Sequence, residues 1–324
     1  MSIQSKTRNS ILIVILWLNL IALFMMIFSQ QAYSDIFRDN TPRIAIISAF
    51  DPELLILKEN LKDRFEFSTN GVIFATGKLE NQDVVLFLSG VSVVNAVMTT
   101  QLALNHFAIE KIIFSGIAGG VDPSLNIGDV AIVERWAQYL EMLFAREVNN
   151  GWEKVPFFEY PYNNFGMMFP RSVTVLRDGS NWPETRFWFP TDKTLIEAAQ
   201  RSRDHVNLNH CTSDDHCLSK KPKILIGGSG VSGSAFVDNA IFREWVFETF
   251  NAQVLDMESA SVAHVAYSNK IPFIAVRSVA DLAGGSDGSN QMEIFLKLAA
   301  DNAASVVKAI LREFSHPNGL TVND

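Results

Sequence analysis

The chain has 324 residues, 48% of them hydrophobic, and a formal net charge of −8. That is enough apolar material for a substantial core, in one large α/β domain or two smaller ones. The acidic balance, with no basic stripe, excludes a nucleic-acid partner, whose phosphates need clustered Lys and Arg. A small molecule is the expected ligand.

At the N-terminus, Lys6 and Arg8 precede apolar runs at 11–18 and 20–28, separated by Asn19, and Ala32-Tyr33-Ser34 offers a small-residue cleavage site. This is the pattern of a secretory signal peptide over 1–34, with 35–42 a short linker. An uncleaved signal anchor is the rival, because the stretch is long enough to cross a bilayer. Only in that case is a membrane expected as a partner. The expected location is the secretory pathway, extracellular or vacuolar.

From Arg43 onward strand and helix patterns alternate, which indicates an α/β class. IAIISA (44–49) has the length and apolarity of a buried strand. DPELLILKENL follows with helical periodicity, Asp51 serving as N-cap and Pro52 as the first helical residue. GVIFATGKLENQDVVLFLSG reads as a hairpin of two strands. VVNAVMTTQLALNHF reads as a helix with so little charge that it should be largely buried. KIIFSGIAGG is a strand entering a glycine turn, and NIGDVAIVERW is another strand.

Between about 137 and 191 the periodicity breaks into an insertion dense in aromatics and proline. Such a segment is either a binding or oligomer surface, or satellite packing over the main sheet. PKILIGG, AQVLDM and PFIAVRSVAD supply three more strands, and 291–314 is a long amphipathic helix that closes the domain. The domain is expected to span 43–316, leaving 317–324 as a tail.

The two cysteines lie in HCTSDDHC (210–217). In an oxidising compartment Cys211 and Cys217 would close a small disulfide loop. A metal site from His210, Cys211, His216 and Cys217 is the alternative, but these ligands are too cramped for ordinary zinc spacing. No metal is expected.

ILIGGSGVSGSAFVDNAIFREWVFETFNAQVLD (224–256) nearly spells a dinucleotide-binding unit, with Gly228, Gly230 and Gly233 between a strand and a helix. In such a unit the third glycine opens the helix and the pyrophosphate sits on free N–H groups. Here Ser234-Ala235-Phe236-Val237 intervenes, and Asp238 is the better N-cap. No nucleotide cofactor is expected. The glycines instead suggest close backbone approach to a flat ligand, with Phe236 available to stack on it.

FSGIAGGVDPSLNIGDVAIV, SGSAFVDN, LDMESASVAHV and VRSVADLAGG, in that order, resemble the purine nucleoside phosphorylase and uridine phosphorylase superfamily. Within it they are most similar to the methylthioadenosine/S-adenosylhomocysteine nucleosidases and to the secreted plant bark storage proteins. The resemblance runs from about Arg43 to Phe314 and is weakest in the aromatic insertion. It implies a single-domain, three-layer α/β fold with a central mixed sheet flanked by helices. It also implies a purine nucleoside as substrate, cleavage of its N-glycosidic bond, no cofactor, and a homo-oligomer.

The resemblance also assigns residues. Glu53 would orient the attacking water, with Ser89 and Arg277 completing the water site. Met257 and Glu258 would clamp the ribose, a carboxylate being able to accept from both hydroxyls of a vicinal diol. Asp281 would donate to the purine ring nitrogen, which requires a raised pKa. Phe236 would stack on the base beside Ser234 and Val237, and Phe50 would line an apolar pocket for the 5′-substituent. Ala280 stands where the nucleosidases usually carry Ser, so one polar contact to the acid is missing.

Each assignment has a plainer alternative. Glu53 could be a solvent-facing first-turn acid or half of a structural pair with Arg277. Glu258 could be a helix-dipole acid, Asp281 a cap, and Phe236 and Phe50 core residues. For the chain as a whole, a storage role without turnover, a non-catalytic nucleoside binder and a phosphate-dependent phosphorylase are the competing readings. A storage protein needs none of the five polar residues. A phosphorylase needs cations that SAFDPEL and SGVSVVNA do not contain, so water is favoured as nucleophile.

Overall fold

In the computed structural model, which describes residues 39–286 and 288–315, a twelve-stranded mixed sheet carries the chain. The expected signal peptide, half of the expected linker (35–38) and the expected C-terminal tail lie outside the described residues, whereas 39–42, expected as linker, already form the start of the first strand. Strand β1 (Asp39–Ser48) leads into helix α1 (Asp51–Glu59). Then come β2 (Lys62–Thr69), β3 (Val72–Leu79), β4 (Gln82–Leu88), α2 (Val93–His106) and the long β5 (Phe107–Gly120). After β6 (Val130–Ile132) and β7 (Arg135–Gln138), the insertion forms six three-residue strands, β8 (Met142–Phe144), β9 (Arg146–Val148), β10 (Gly151–Glu153), β11 (Met168–Pro170), β12 (Val173–Val175) and β13 (Glu184–Arg186). The remainder is β14 (Trp188–Pro190), α3 (Lys193–Ser202), β15 (Ile224–Ile226), β16 (Ser229–Ser232), α4 (Ala240–Phe250), β17 (Ala252–Asp256), α5 (Ser259–Ser268), β18 (Phe273–Asp281) and α6 (Met292–Ser315).

The main path through the sheet is β14-β7-β16-β17-β5-β1-β4-β3-β2, with β18 pairing both β5 and β6, and β15 pairing β6. Alternation along the central strands sends side chains to two separate cores. Ile44 and Ile46 of β1 face one way, with Leu57 of α1, Leu195 of α3 and Val307 of α6. Ala45 and Ile47 face the other, with Ala96 and Ala103 of α2 and Val262 and Ala266 of α5. The sheet is therefore covered on both faces, and its central strands are apolar on both sides because neither side meets water.

Three sequence readings shift. Helix α1 begins one residue earlier than expected: Phe50 occupies the N-cap position, and Asp51 and Pro52 are already helical. The cap of α4 is Asn239, whose side chain accepts from Phe242 N, and Asp238 lies outside it. Helix α2 is not largely buried: only Ala96, Thr99, Thr100 and Ala103 are, while Val94 and Met98 are 67% and 65% exposed. Lack of charge indicated burial, but the fold places only one side of this helix on the sheet.

The insertion resolves in favour of satellite packing for part of its aromatics. Tyr162, Phe165, Phe187 and Trp188 pack with Trp245 and Phe250 of α4 in a third core under β16 and β17. Others, including Phe157 and Trp182, remain exposed. Cys211 and Cys217 are bonded to each other.

Candidate active site

A cavity of about 330 Å³ opens where several strands end together. Its wall includes Phe50 and Glu53 from the start of α1, Ile117 and Gly119 from β5, Phe236 and Val237 from the segment after β16, Met257 and Glu258 after β17, and Asp281 at the end of β18. That volume is in the range of small-ligand sites, and crevices at the carboxyl ends of strands are where α/β sheets bind ligands.

Arg277 organises the charged side of this cavity. It is fully buried on β18, with its guanidinium carbon 4.0 Å from the centre of the Phe114 ring. Its Nε donates to Ser259 Oγ at 2.8 Å and lies 2.7 Å from Asp256 Oδ2. Nη1 is 3.7 Å from Glu53 Oε1, and Nη2 is 3.6 Å from Glu258 Oε2. These are ion-pair distances but too long for hydrogen bonds, and both Nη atoms are buried without a hydrogen-bond partner.

Glu53 is 1% exposed, so the solvent-facing alternative is excluded. Its Oε2 accepts from Ala49 N at 2.7 Å and its Oε1 from Ile117 N at 2.8 Å. Burial pushes its pKa up, against the pull of Arg277 and these N–H groups. Gly116 makes the arrangement possible, because a Cβ there would fall against Arg277 Nη1 and Glu53 Oε1. This glycine, in FSGIAGG, has a packing role that a turn reading did not reveal.

Glu258 stands at the N-cap position of α5, and its Oε1 accepts from Ser92 N at 2.7 Å. Burial first, then the neighbouring Asp256, raises its pKa to about 7. Ser92 adopts φ 80°, a left-handed conformation unusual for a non-glycine residue, and strain of this sort collects at functional sites. Asp281 is 5% exposed with its pKa raised by burial, and its Oδ1 accepts from Ala283 N at 2.7 Å. That contact supplies a local partner for the acid where Ala280, fully buried, has none to give.

The apolar side holds the remaining expectations. Phe50, Met257, Val237 and Phe236 all line the cavity. Phe236 is 58% exposed, so it is not a core residue. Phe50 also packs against the main core. Ser234 is exposed and does not line the cavity; its Oγ accepts a hydrogen bond from Ser92 Oγ at 3.0 Å.

Two further expectations are not met. Ser89 is not brought to the cavity: its hydroxyl donates to Gly90 O, and it lines a separate groove between α1 and α2. The Ile117 N–H, a backbone group with no side-chain signature, is the donor found on Glu53 instead. The glycines of the 228–233 run also do not line the cavity. A Cβ at Gly228 would meet Gln253, one at Gly230 would lie 2.6 Å from Trp136 Cζ3, and one at Gly233 would lie 2.6 Å from Leu140 Cδ1. They permit close internal packing.

Residues absent from the sequence reading include Asp256, Ser92, Val91 and Met292. Asp256 alone had a readable signal, as an acid closing an apolar strand next to Met257-Glu258.

An α/β sheet with a carboxylate-lined cavity at its strand ends defines the class, and comparison with known proteins defines the family. Residues 43–312 match the family model described as the phosphorylase superfamily, and the chain belongs to that superfamily. Similar relatives include the 5′-methylthioadenosine/S-adenosylhomocysteine nucleosidase of Anoxybacillus flavithermus, 29% identical over 84% of this chain and 99% of the relative. That of Staphylococcus carnosus is 31% identical over 83% and 99%. Among solved structures, the nucleosidase of Neisseria meningitidis in complex with methylthio-immucillin-A is 25% identical, covers 84% of this chain and 99% of its own, and aligns with a TM-score of 0.62.

Proposed function

We propose that the protein is a purine nucleosidase that hydrolyses the N-glycosidic bond of a methylthioadenosine-like ribonucleoside. The observation that carries this reading is the pair of buried, unpartnered Nη atoms of Arg277, flanked by Glu53 and Glu258. Buried donors require partners. A water beside Glu53 and a ribose hydroxyl beside Glu258 satisfy them.

Cleavage proceeds through an oxocarbenium-like sugar. Glu53 takes a proton from water as its oxygen attacks the anomeric carbon. The bond from that carbon to the base breaks, and Asp281, kept protonated by burial, donates to the ring nitrogen of the leaving base. Glu258 accepts from the 2′- and 3′-hydroxyls, while Met257 and Phe236 bracket sugar and base. Phe50, Val91 and Met292 give the cavity an apolar wall suited to a thioether substituent. A storage protein has no use for this buried charge.

Water is favoured over phosphate because Arg277, already facing Glu53, Asp256 and Glu258, is the one cation paired with these acids among the described residues, and no Lys or His lines the cavity wall. A phosphate beside Glu53 would meet repulsion on the order of 1 to 4 kcal/mol at close range. The test is base release from a purine nucleoside panel with and without phosphate, identifying the sugar product. Free sugar at a phosphate-independent rate is expected, whereas sugar 1-phosphate in proportion to added phosphate would overturn hydrolysis.

Two further parts of the reading concern the protein's setting. The exposed apolar face of α2, continuous with Val91 and a groove of about 800 Å³ beside α1, supports a homo-oligomer. The paired cysteines support a place in the secretory pathway.

A further inference from the structure

The cavity's charged side places three carboxylates, Glu53, Asp256 and Glu258, around one guanidinium. Asp281 lines the same cavity and adds a fourth acid. Among the described residues no second cation pairs with any of these acids, so the cluster carries more acid than one guanidinium can balance. In a buried site such an excess is relieved by keeping a proton.

Hydrogen bonding indicates which acid keeps it. Asp256 accepts from the hydroxyls of Ser232 and Ser259 and from the backbone N–H groups of Glu258 and Ser259, at 3.2 and 3.1 Å for the latter two. With Arg277 Nε beside its other oxygen, every contact is with a donor, the pattern an ionised carboxylate requires. Glu53 accepts from two backbone N–H groups. Glu258 accepts from one, Ser92 N. Of the three acids around Arg277, Glu258 is the least supported as an anion, and it sits next to the most strongly supported one.

We propose that Asp256 is a positioning residue with two effects: it anchors Arg277 by Nε, and its charge leaves Glu258 holding a proton until a ribose diol draws that proton off to solvent. This rests on the nucleosidase reading above and deepens it. Asp256 does not line up as a reacting group, since its oxygens are already committed to Ser232, Ser259 and Arg277. It acts through its neighbours.

The groups facing Glu258 are Asp256 at the end of β17, Arg277 on β18, Glu53 on α1 and the Ser92 N–H ahead of α2. Tyr139, after β7, is close enough to Asp256 for its own pKa to be pushed up, chiefly by burial and then by that charge. The raised pKa of Glu258, about 7, agrees with the hydrogen-bond pattern. Ionised Glu258 accepts from both hydroxyls, whereas its neutral form has one oxygen occupied by hydrogen. Nucleoside capture therefore strengthens as pH rises through neutrality.

The test is a KM and kcat comparison of wild type and Asp256→Asn between pH 6 and 8. In the wild type, KM is expected to rise about tenfold per pH unit below the inflection. In Asp256→Asn the inflection moves down by a pH unit or more, so KM at pH 6 falls below the wild-type value, while kcat drops at least tenfold as Arg277 loses its anchor. A purely structural role would lower stability and leave the KM inflection in place, which would overturn the proposal.

Should the variant fail to fold, calorimetry on the wild type decides. The probes are a 7-deazaadenine ribonucleoside, which resists cleavage because it has no N7 to protonate, and its 2′,3′-dideoxy analogue. Release of about half a proton per site at pH 7 is expected with the ribonucleoside and none with the analogue. Equal proton counts for both would sink the proposal alone. Binding of neither would sink the nucleosidase reading and this inference with it.

Discussion

Arg277 and Glu53 face each other across fully buried ground, Nη1 to Oε1 at 3.7 Å, without a hydrogen bond between them. A purely structural pair would close to hydrogen-bonding distance, because burying two charges is repaid only by good geometry. The separation is instead held by Gly116 on one side and by the Ala49 and Ile117 N–H groups on the other. Glu53→Gln keeps the shape and the backbone contacts of one oxygen but cannot take a proton from water. Base release should fall about 100- to 10,000-fold, with nucleoside binding largely retained. Wild-type turnover in this variant would mean that the pair is structural after all.

Asp281→Asn separates hydrogen bonding from proton donation in the same way. Asparagine can still contact the ring, so affinity for a purine nucleoside should change little. The rate of base release is expected to fall about 100- to 10,000-fold, since the donated proton is lost. Single-turnover measurement distinguishes this from a cap, whose loss would lower thermal stability and leave the rate unchanged.

Stability should decline as pH rises from 5 to 8. Glu258 is raised from 4.5 to about 7, and burial also raises Glu53 and Asp281. Between the unfolded and folded pKa values the folded state holds a proton that the unfolded state has released, so stability is full below 4.5 and is lost as pH passes through the folded value. For Glu258 the loss is on the order of 3 kcal/mol. Urea denaturation at pH 5.5 and 8 checks the sign, and Glu258→Gln should flatten the difference.

The disulfide closes a short loop, Cys211 and Cys217 being 6 residues apart in sequence. Loop-closure entropy for so short a span limits its contribution to about 2 kcal/mol. Replacing both cysteines with serine should lower the denaturation midpoint modestly and leave base release intact. Failure to fold would show that the loop organises more than itself.

The exposed row of Val94, Val97 and Met98 on α2 should be covered in solution by a second copy of the chain. Light scattering of the wild type is expected to give a mass above that of one chain. Val94→Glu with Met98→Glu should shift it to the monomer, because buried charges at a contact are costly. A monomeric wild type would remove the oligomer from the proposed function.

How much of this was legible in the sequence differs by kind of feature. The alternation of buried strands and helices and the closing helix over 292–315 were readable from local pattern, and the family resemblance, carried by the order of short motifs, pointed to Glu53, Glu258, Asp281 and Arg277, which the structure brings together at one cavity. Local pattern and the order of short motifs suffice for these, since strand apolarity and an Arg on an apolar strand are visible one segment at a time. Edge strand β2 (Lys62–Thr69), charged and largely exposed, was missed for the same reason: it lacks the apolar run that marks a buried strand.

Only the tertiary structure decided which groups meet. It removed Ser89 from the site, put the Ile117 N–H in its place, and turned the glycines of 228–233 toward Trp136, Leu140 and Gln253. It also brought Asp256 against Arg277 and left one side of α2 uncovered. Backbone donors carry no side-chain signature, and a glycine's neighbour across a sheet can lie a hundred residues away. The sequence by itself therefore determined the residue types and the kind of elements they form, while the pairing of β5, β17 and β18 determined which charges share one buried guanidinium.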